Sequence, residues 1–231
     1  MHTEPWHNTM PDAFEEPDYM STALWTPKKP LVIIPERLLD EAAPVYGSNR
    51  VGEHDNDLTA HHSGSPLGER IVITGRVTDS IGKPVRNTLI EIWQANSAGK
   101  YVHEADQYPS PKDPNFTGAG RTVTDDEGRY TFTSIMPGAY PWWTDPRSWR
   151  ARHIHFSLTG RGITDRLITQ MYFPGDPLLA LDPVYLAVRD EKARDLNISS
   201  LDWERTVPEK AIAYRYDIVL GGANPTPLDE D

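Results

Sequence analysis

From Arg70 onward the chain runs in short alternating segments, and that period-two pattern is what most limits its fold. In RIVITGRVTD (Arg70–Asp79), Ile71, Ile73, Gly75 and Val77 alternate with Val72, Thr74, Arg76 and Thr78. One parity can therefore face a core while the other does not. A turn at Ser80–Lys83 leads to NTLIEIW, where Leu89 and Glu91 alternate with Ile90 and Ile92, and RTVTDDEGRYTFTSI folds back at Asp126-Glu127-Gly128. Further strands are expected at Leu167–Phe173 and Ala211–Leu220. Short strands at close spacing, separated by turn residues, predict a mainly β domain, an antiparallel β-sandwich over residues 67–231. Helices are expected to be few and short; the best candidate is Val188–Leu196, with a charged face and no strong apolar stripe.

Residues 1–66 read differently. They hold eight prolines and no sustained periodicity beyond Leu31-Val32-Ile33-Ile34 and a helical turn around Glu36–Ala43. Such a segment predicts an extended arm, and 231 residues lie within the length of a single β unit. Trp6, Phe14, Tyr19 and Trp25 give the arm aromatic surface that needs a cover. The arm is therefore expected to wrap its own domain or a partner subunit, as part of a subunit interface.

Composition works by exclusion. Zero cysteine removes disulfides, thiolate zinc sites, iron–sulfur clusters and cysteine nucleophiles, leaving His, Asp, Glu, Tyr or backbone oxygen to hold any metal. A net charge of −11 repels polyanions and argues against nucleic acid. No apolar run approaches the roughly 18 residues of a membrane span, and the opening MHTEPWHNTMPDAFEEPDYM lacks a basic segment followed by an apolar one. A cytoplasmic protein with a small-molecule or protein partner is expected.

The sharpest local feature is WRARHIHFSL (Trp149–Leu158), read as one strand because Ile154, Phe156 and Leu158 share a parity. His153 and His155 then project together from the opposite face, which suits two imidazole ligands on one metal or two exposed strand histidines. A metal needs further ligands. The other histidines are His2, His7, His54, His61, His62 and His103, the first five of them in the arm, and Gly160 stands where a cupin-type site would place its glutamate. Tyrosines stand out instead, Tyr140 in PGAYPWW and Tyr101 in GKYVH. Pro141 biases Tyr140 toward extended geometry. Two hard phenolate oxygens with two imidazoles favour Fe(III) over softer divalent metals, although each tyrosine taken singly reads better as a core or rim aromatic.

Together these segments resemble the intradiol ring-cleavage dioxygenases. The likeness is nearly full length, from Pro17-Asp18-Tyr19 and HDNDL through GERIVITGRV, GKPVRNTLIEIWQAN, DPNFTGAGR, PGAYPW, WRARHIHFSL and LITQMYFPGDPL to AYRYDIVL. It implies that Tyr101, Tyr140, His153 and His155 hold a mononuclear non-haem Fe(III), with Tyr140 the ligand that leaves when substrate binds. It further implies that Arg150 and Gln170 stabilise charge on the substrate, and that Tyr19 and Trp142, with Arg150, contact it. The implied reaction is cleavage of protocatechuate (3,4-dihydroxybenzoate) by O2 to 3-carboxy-cis,cis-muconate, in aromatic catabolism through the β-ketoadipate pathway. The ligand set marks a β-type chain, whose homologous α subunit lacks it, so an α/β hetero-oligomer is implied.

Relatives acting on catechol or hydroxyquinol carry an N-terminal helical dimerisation domain, which the Pro-rich arm does not resemble. Arg152 departs from the family, where a small residue is usual. A rival from another class remains: GRVTDSIGKPVRN, TDDEGRYTFTSI and PGAY also resemble carboxypeptidase-regulatory and transthyretin-like modules, which bind without catalysing. Those motifs report the fold alone, and iron content separates the two readings.

Overall fold

The structure, a computed structural model, describes residues 51–142, 148–160, 163, 166–222 and 224–228. The alternating run becomes β1 (Arg70–Asp79), in which Ile71, Ile73 and Val77 are fully buried and the opposite parity is half-buried. It is followed by β2 (Leu89–Trp93), β3 (Ala119–Val123), β4 (Arg129–Ile135), β5 (Tyr140–Pro141), β6 (Trp149–Arg150), β7 (His153–Thr159) and β8 (Leu167–Tyr172). The chain ends in β9 (Ser200–Leu201), β10 (Ile212–Arg215) and β11 (Ile218–Leu220).

One sheet centres on β1, with β4 antiparallel on one edge, β10 and then β11 parallel along the other, and β9 beyond β10. The other sheet runs β3–β2–β7–β8 and is antiparallel throughout. A two-stranded ribbon pairs β5 with β6. The sheets share one core, where Ile71, Ile73 and Phe132 join Ile92, Ile154 and Phe156. The sandwich is mixed because β10 and β11 reach β1 only after a long crossover, the connection that parallel pairing requires.

Two expected strands are interrupted, each for a local reason. The run 149–158 divides at Ala151 and Arg152, whose amides donate to Asp182 Oδ2 at 2.8 Å and Asp176 Oδ2 at 3.0 Å. Side-chain acceptors there replace the ladder. The run 211–220 divides at Tyr216-Asp217, where β1 passes from β10 to β11. Asp217 Oδ1 accepts from the Arg76 amide at 3.0 Å, and the Tyr216 carbonyl accepts from Tyr130 Oη. Tyr130→Phe is therefore expected to lose about 1–3 kcal/mol by stranding a buried carbonyl. Denaturant unfolding measures the loss, and metal content should match the parent.

Before the expected helix stand a 3₁₀ turn at Pro177–Leu181 and α1 (Pro183–Ala187), each preceded by an aspartate cap and opening on proline. Asp176-Pro177 and Asp182-Pro183 were the available signals. The expected helix itself is confined to α2 (Glu191–Asp195), capped by Asp190.

Within the segment expected as an arm, Leu58 is fully buried in the core and its amide donates to Thr133 O at 2.9 Å. Residues 51–66 thus pack in part on the sandwich. Tyr19 lies outside the described residues.

Candidate metal centre

The strand registers gather most of the candidate residues at one end of the β3–β2–β7–β8 sheet. On β7, Ile154, Phe156 and Leu158 enter the core, so His153 and His155 share the other face. His155 lies opposite Trp93 on β2 and Gln170 on β8, and His153 lies opposite Tyr172. The β5–β6 ribbon adds Tyr140 directly across from Arg150. His153 and His155 are only 2% and 9% exposed, which removes the reading of two exposed strand histidines.

Tyr101 comes from the loop after β2, and two features hold it there. Lys100 Nζ, in a buried side chain, donates to Asp106 Oδ1 at 3.1 Å and Asp106 O at 2.9 Å, while the Tyr101 amide donates to Asp106 Oδ2 at 2.8 Å. Burial alone would raise the Asp106 carboxyl, but the Tyr101 and Tyr108 amides and the Lys100 ammonium hold it below the usual carboxylate range, so the clamp stays charged. The second feature is a close backbone approach. A Cβ on Gly138 would lie 2.4 Å from Gly99 N, and one on Gly99, at φ +76°, would lie 2.4 Å from Ala139 O. Only paired glycines let these loops bring Tyr101 beside Tyr140.

His153 is the meeting point. Its Nδ1 donates to Ala151 O at 2.6 Å, leaving Nε2 to accept from Tyr101 Oη and Tyr140 Oη, each at 3.3 Å. The Tyr101 and Tyr140 ring centroids are 5.5 Å apart, and those of His153 and His155 are 4.9 Å apart. Trp93 stacks on His155 at 4.8 Å and 2°, fixing the plane of that ring. Arg150, 4% exposed, sends Nη1 to Tyr140 Oη at 3.5 Å, Nη2 to Gln170 Oε1 and Nε to Asp182, with its guanidinium 5.4 Å from the Trp142 ring.

Burial, reinforced by the Arg150 charge, drives His153 well below the ordinary imidazole range, so it is neutral and free to ligate. Burial also pushes Tyr101 well above the usual phenol range and Tyr140 above it, with Arg150 opposing both shifts. For Arg150, burial works against the charge, yet Tyr140 and Asp182 overcome it and hold the guanidinium above its usual range. The site thus sets one buried guanidinium beside two phenols whose ionisation needs a further positive charge.

Sequence reasoning missed Asp182, Tyr172 and Trp93. Arg152 is exposed and lines a separate cavity of about 560 Å³ with Glu69 and Asp176; none of the Tyr–His set lines it.

Residues 42–222 match the family described as Dioxygenase. Over 219 residues the chain is 55% identical to the protocatechuate 3,4-dioxygenase beta chain of Burkholderia cepacia, spanning 94% of this chain and 93% of that one. The chain belongs to the intradiol ring-cleavage dioxygenases. This dioxygenase is also 32% identical over 161 residues to the protocatechuate 3,4-dioxygenase alpha chain of Pseudomonas putida, covering 69% of this chain and 75% of that one. Among solved structures, 3-chlorocatechol 1,2-dioxygenase from Rhodococcus opacus 1CP superposes with a TM-score of 0.55 at 22% identity, over 75% of this chain and 67% of that one, a likeness of fold.

Proposed function

We propose that this intradiol dioxygenase holds one ferric ion between Tyr101, Tyr140, His153 and His155 and cleaves protocatechuate with O2 to 3-carboxy-cis,cis-muconate. The observation that carries the reading is the convergence of two phenol oxygens on His153 Nε2, each at 3.3 Å, in a chain 55% identical to a protocatechuate 3,4-dioxygenase beta chain. The donor set fits the metal. Burial keeps both phenols protonated unless a cation compensates, and a trivalent ion supplies the charge that two phenolates need. Oxygen and imidazole donors without thiolate suit a hard ferric ion.

When bound, the ferric ion activates the catecholate ring toward O2. The chain's own groups do the remaining work. With the ion bound, Tyr140 would be held as a phenolate whose Oη can take a proton from an entering catechol hydroxyl. Arg150 Nη1, 3.5 Å from that oxygen, keeps positive charge where the substrate gains negative charge, and Gln170 holds its far edge. Trp142, whose ring lies 5.4 Å from the Arg150 guanidinium, and Tyr19 are assigned to substrate contact.

On this reading residues 1–66 serve a subunit interface with a homologous α chain, and the enzyme works in the cytoplasm. Among the described residues no helix is long and apolar enough to cross a membrane. Co-purified with an α chain, the protein is expected to carry one iron per β-type chain, to show phenolate-to-iron absorption in the visible, and to consume one O2 per protocatechuate opened. Colourless, iron-free protein with full activity overturns the reading. Turnover of catechol but not protocatechuate overturns the substrate.

A further inference from the structure

Asp182 is fully buried, and its carboxylate accepts from four N–H groups in two separate segments. Arg150 Nε lies 3.2 Å from each oxygen, the Ala151 amide 2.8 Å from Oδ2, and the Val184 and Tyr185 amides 2.9 and 3.0 Å from Oδ1. Capping α1 needs only the last two contacts, which a neutral Ser or Asn supplies as well. A fully buried carboxylate is retained at a heavy desolvation cost unless a charge matches it, and here that charge is the Arg150 guanidinium.

The consequence is directional. A guanidinium is planar, so fixing Nε fixes where the two Nη groups point. With Nε on Asp182, Nη2 faces Gln170 Oε1 and Tyr172 Oη, and Nη1 faces Tyr140 Oη at 3.5 Å. Tyr172 Oη also donates to Gln170 Oε1 at 3.0 Å, so both Nη2 acceptors are tied to each other. We infer that Asp182 is a positioning residue for ring cleavage: it anchors Arg150 through Nε, holds Nη1 on the Tyr140 oxygen, and locks that arrangement to α1. The inference rests on the function proposed above.

The test is the variant Asp182→Asn, which keeps an oxygen for the Val184 and Tyr185 amides but turns an NH2 group toward two donors, Arg150 Nε and the Ala151 amide. With the iron-loaded enzyme and protocatechuate, kcat is expected to fall on the order of 10-fold while KM stays within about 3-fold. In an Arg150→Gln background the same substitution is expected to change kcat by less than about 2-fold, because its effect passes through Arg150. Losses that multiply in the double variant, or a parental kcat in Asp182→Asn, overturn the inference. Asp190→Asn, at the cap of α2, is the control expected to match the parent.

Should Asp182→Asn not fold, the full-length, metal-stripped parent still decides. In 15N-arginine-labelled protein the Arg150 Nε–H, identified by its loss in Arg150→Gln, is expected to exchange at least about 100-fold more slowly than that of exposed Arg86. Equal exchange overturns the anchoring. This measurement needs no turnover, so it stands apart from an inactive parent, which would overturn the functional reading instead.

Discussion

His153→Ala is expected to lose more than about 100-fold in ferric-ion affinity, beyond what removing an outer-shell partner of a metal ligand brings, and ring cleavage should fall with it. The imidazole is the group on which both phenols converge, each at 3.3 Å, and its own direction is set by the 2.6 Å bond from Nδ1 to Ala151 O. Its ring also packs 5.6 Å from Tyr140 and 4.9 Å from His155, so alanine removes a donor atom and the surface that spaces the others. His103→Ala, at an exposed histidine whose Nδ1 accepts from the Ala105 amide, is the control expected to keep its iron and colour. Elemental analysis after exposure to a weak chelator, together with the visible spectrum, measures both. An iron-loaded, coloured His153→Ala protein would take His153 out of the ligand set.

Parity alone made the histidine pair legible, because β7 is buried on both faces and sorts its side chains, Ile154 and Phe156 inward and His153 and His155 toward the site. Parity could not say whether the second face met solvent or protein, since that depends on Trp93, Gln170 and Tyr172 arriving on neighbouring strands. Tyr101 had no periodic signal. Its place depends on a Lys100–Asp106 clamp and on two glycines from distant loops whose backbones nearly touch. Asp182 was not legible as the partner of Arg150, because nothing local links residues 32 positions apart.

The fold shows the same division. Period two marks a strand but not its partner's direction, so the parallel pairing of β1 with β10 and β11 carries no sequence signature. Nor does it mark where a ladder stops. The stops at 151–152 and 216–217 are set by aspartates that capture backbone amides, Asp182 and Asp176 in one case and Asp217 in the other.

Gly75→Ala is expected to destabilise the protein by about 3 kcal/mol or more, at or above the upper end for overpacking. Gly75 sits mid-strand, where β1 exchanges β10 for β11, and the Tyr216 carbonyl crosses directly over it. A Cβ there would lie 1.9 Å from Tyr216 O and 2.6 Å from both Cζ and Oη of Tyr130. Relief requires moving backbone. The Tyr216 amide is tied to Thr74 O at 2.8 Å, its carbonyl accepts from Tyr130 Oη, and its buried ring lies 5.2 Å from Phe156. The backbone angles at Gly75 are open to alanine, so if there were room the substitution would stabilise by about 0.4–1 kcal/mol through the unfolded chain. The sign of the change therefore tests the geometry, and denaturant unfolding of the two proteins gives it. Adding Tyr130→Phe is expected to restore little, because the phenol oxygen is not the closest obstacle. Full recovery in the double variant would put the clash on Tyr130 rather than on the Tyr216 backbone.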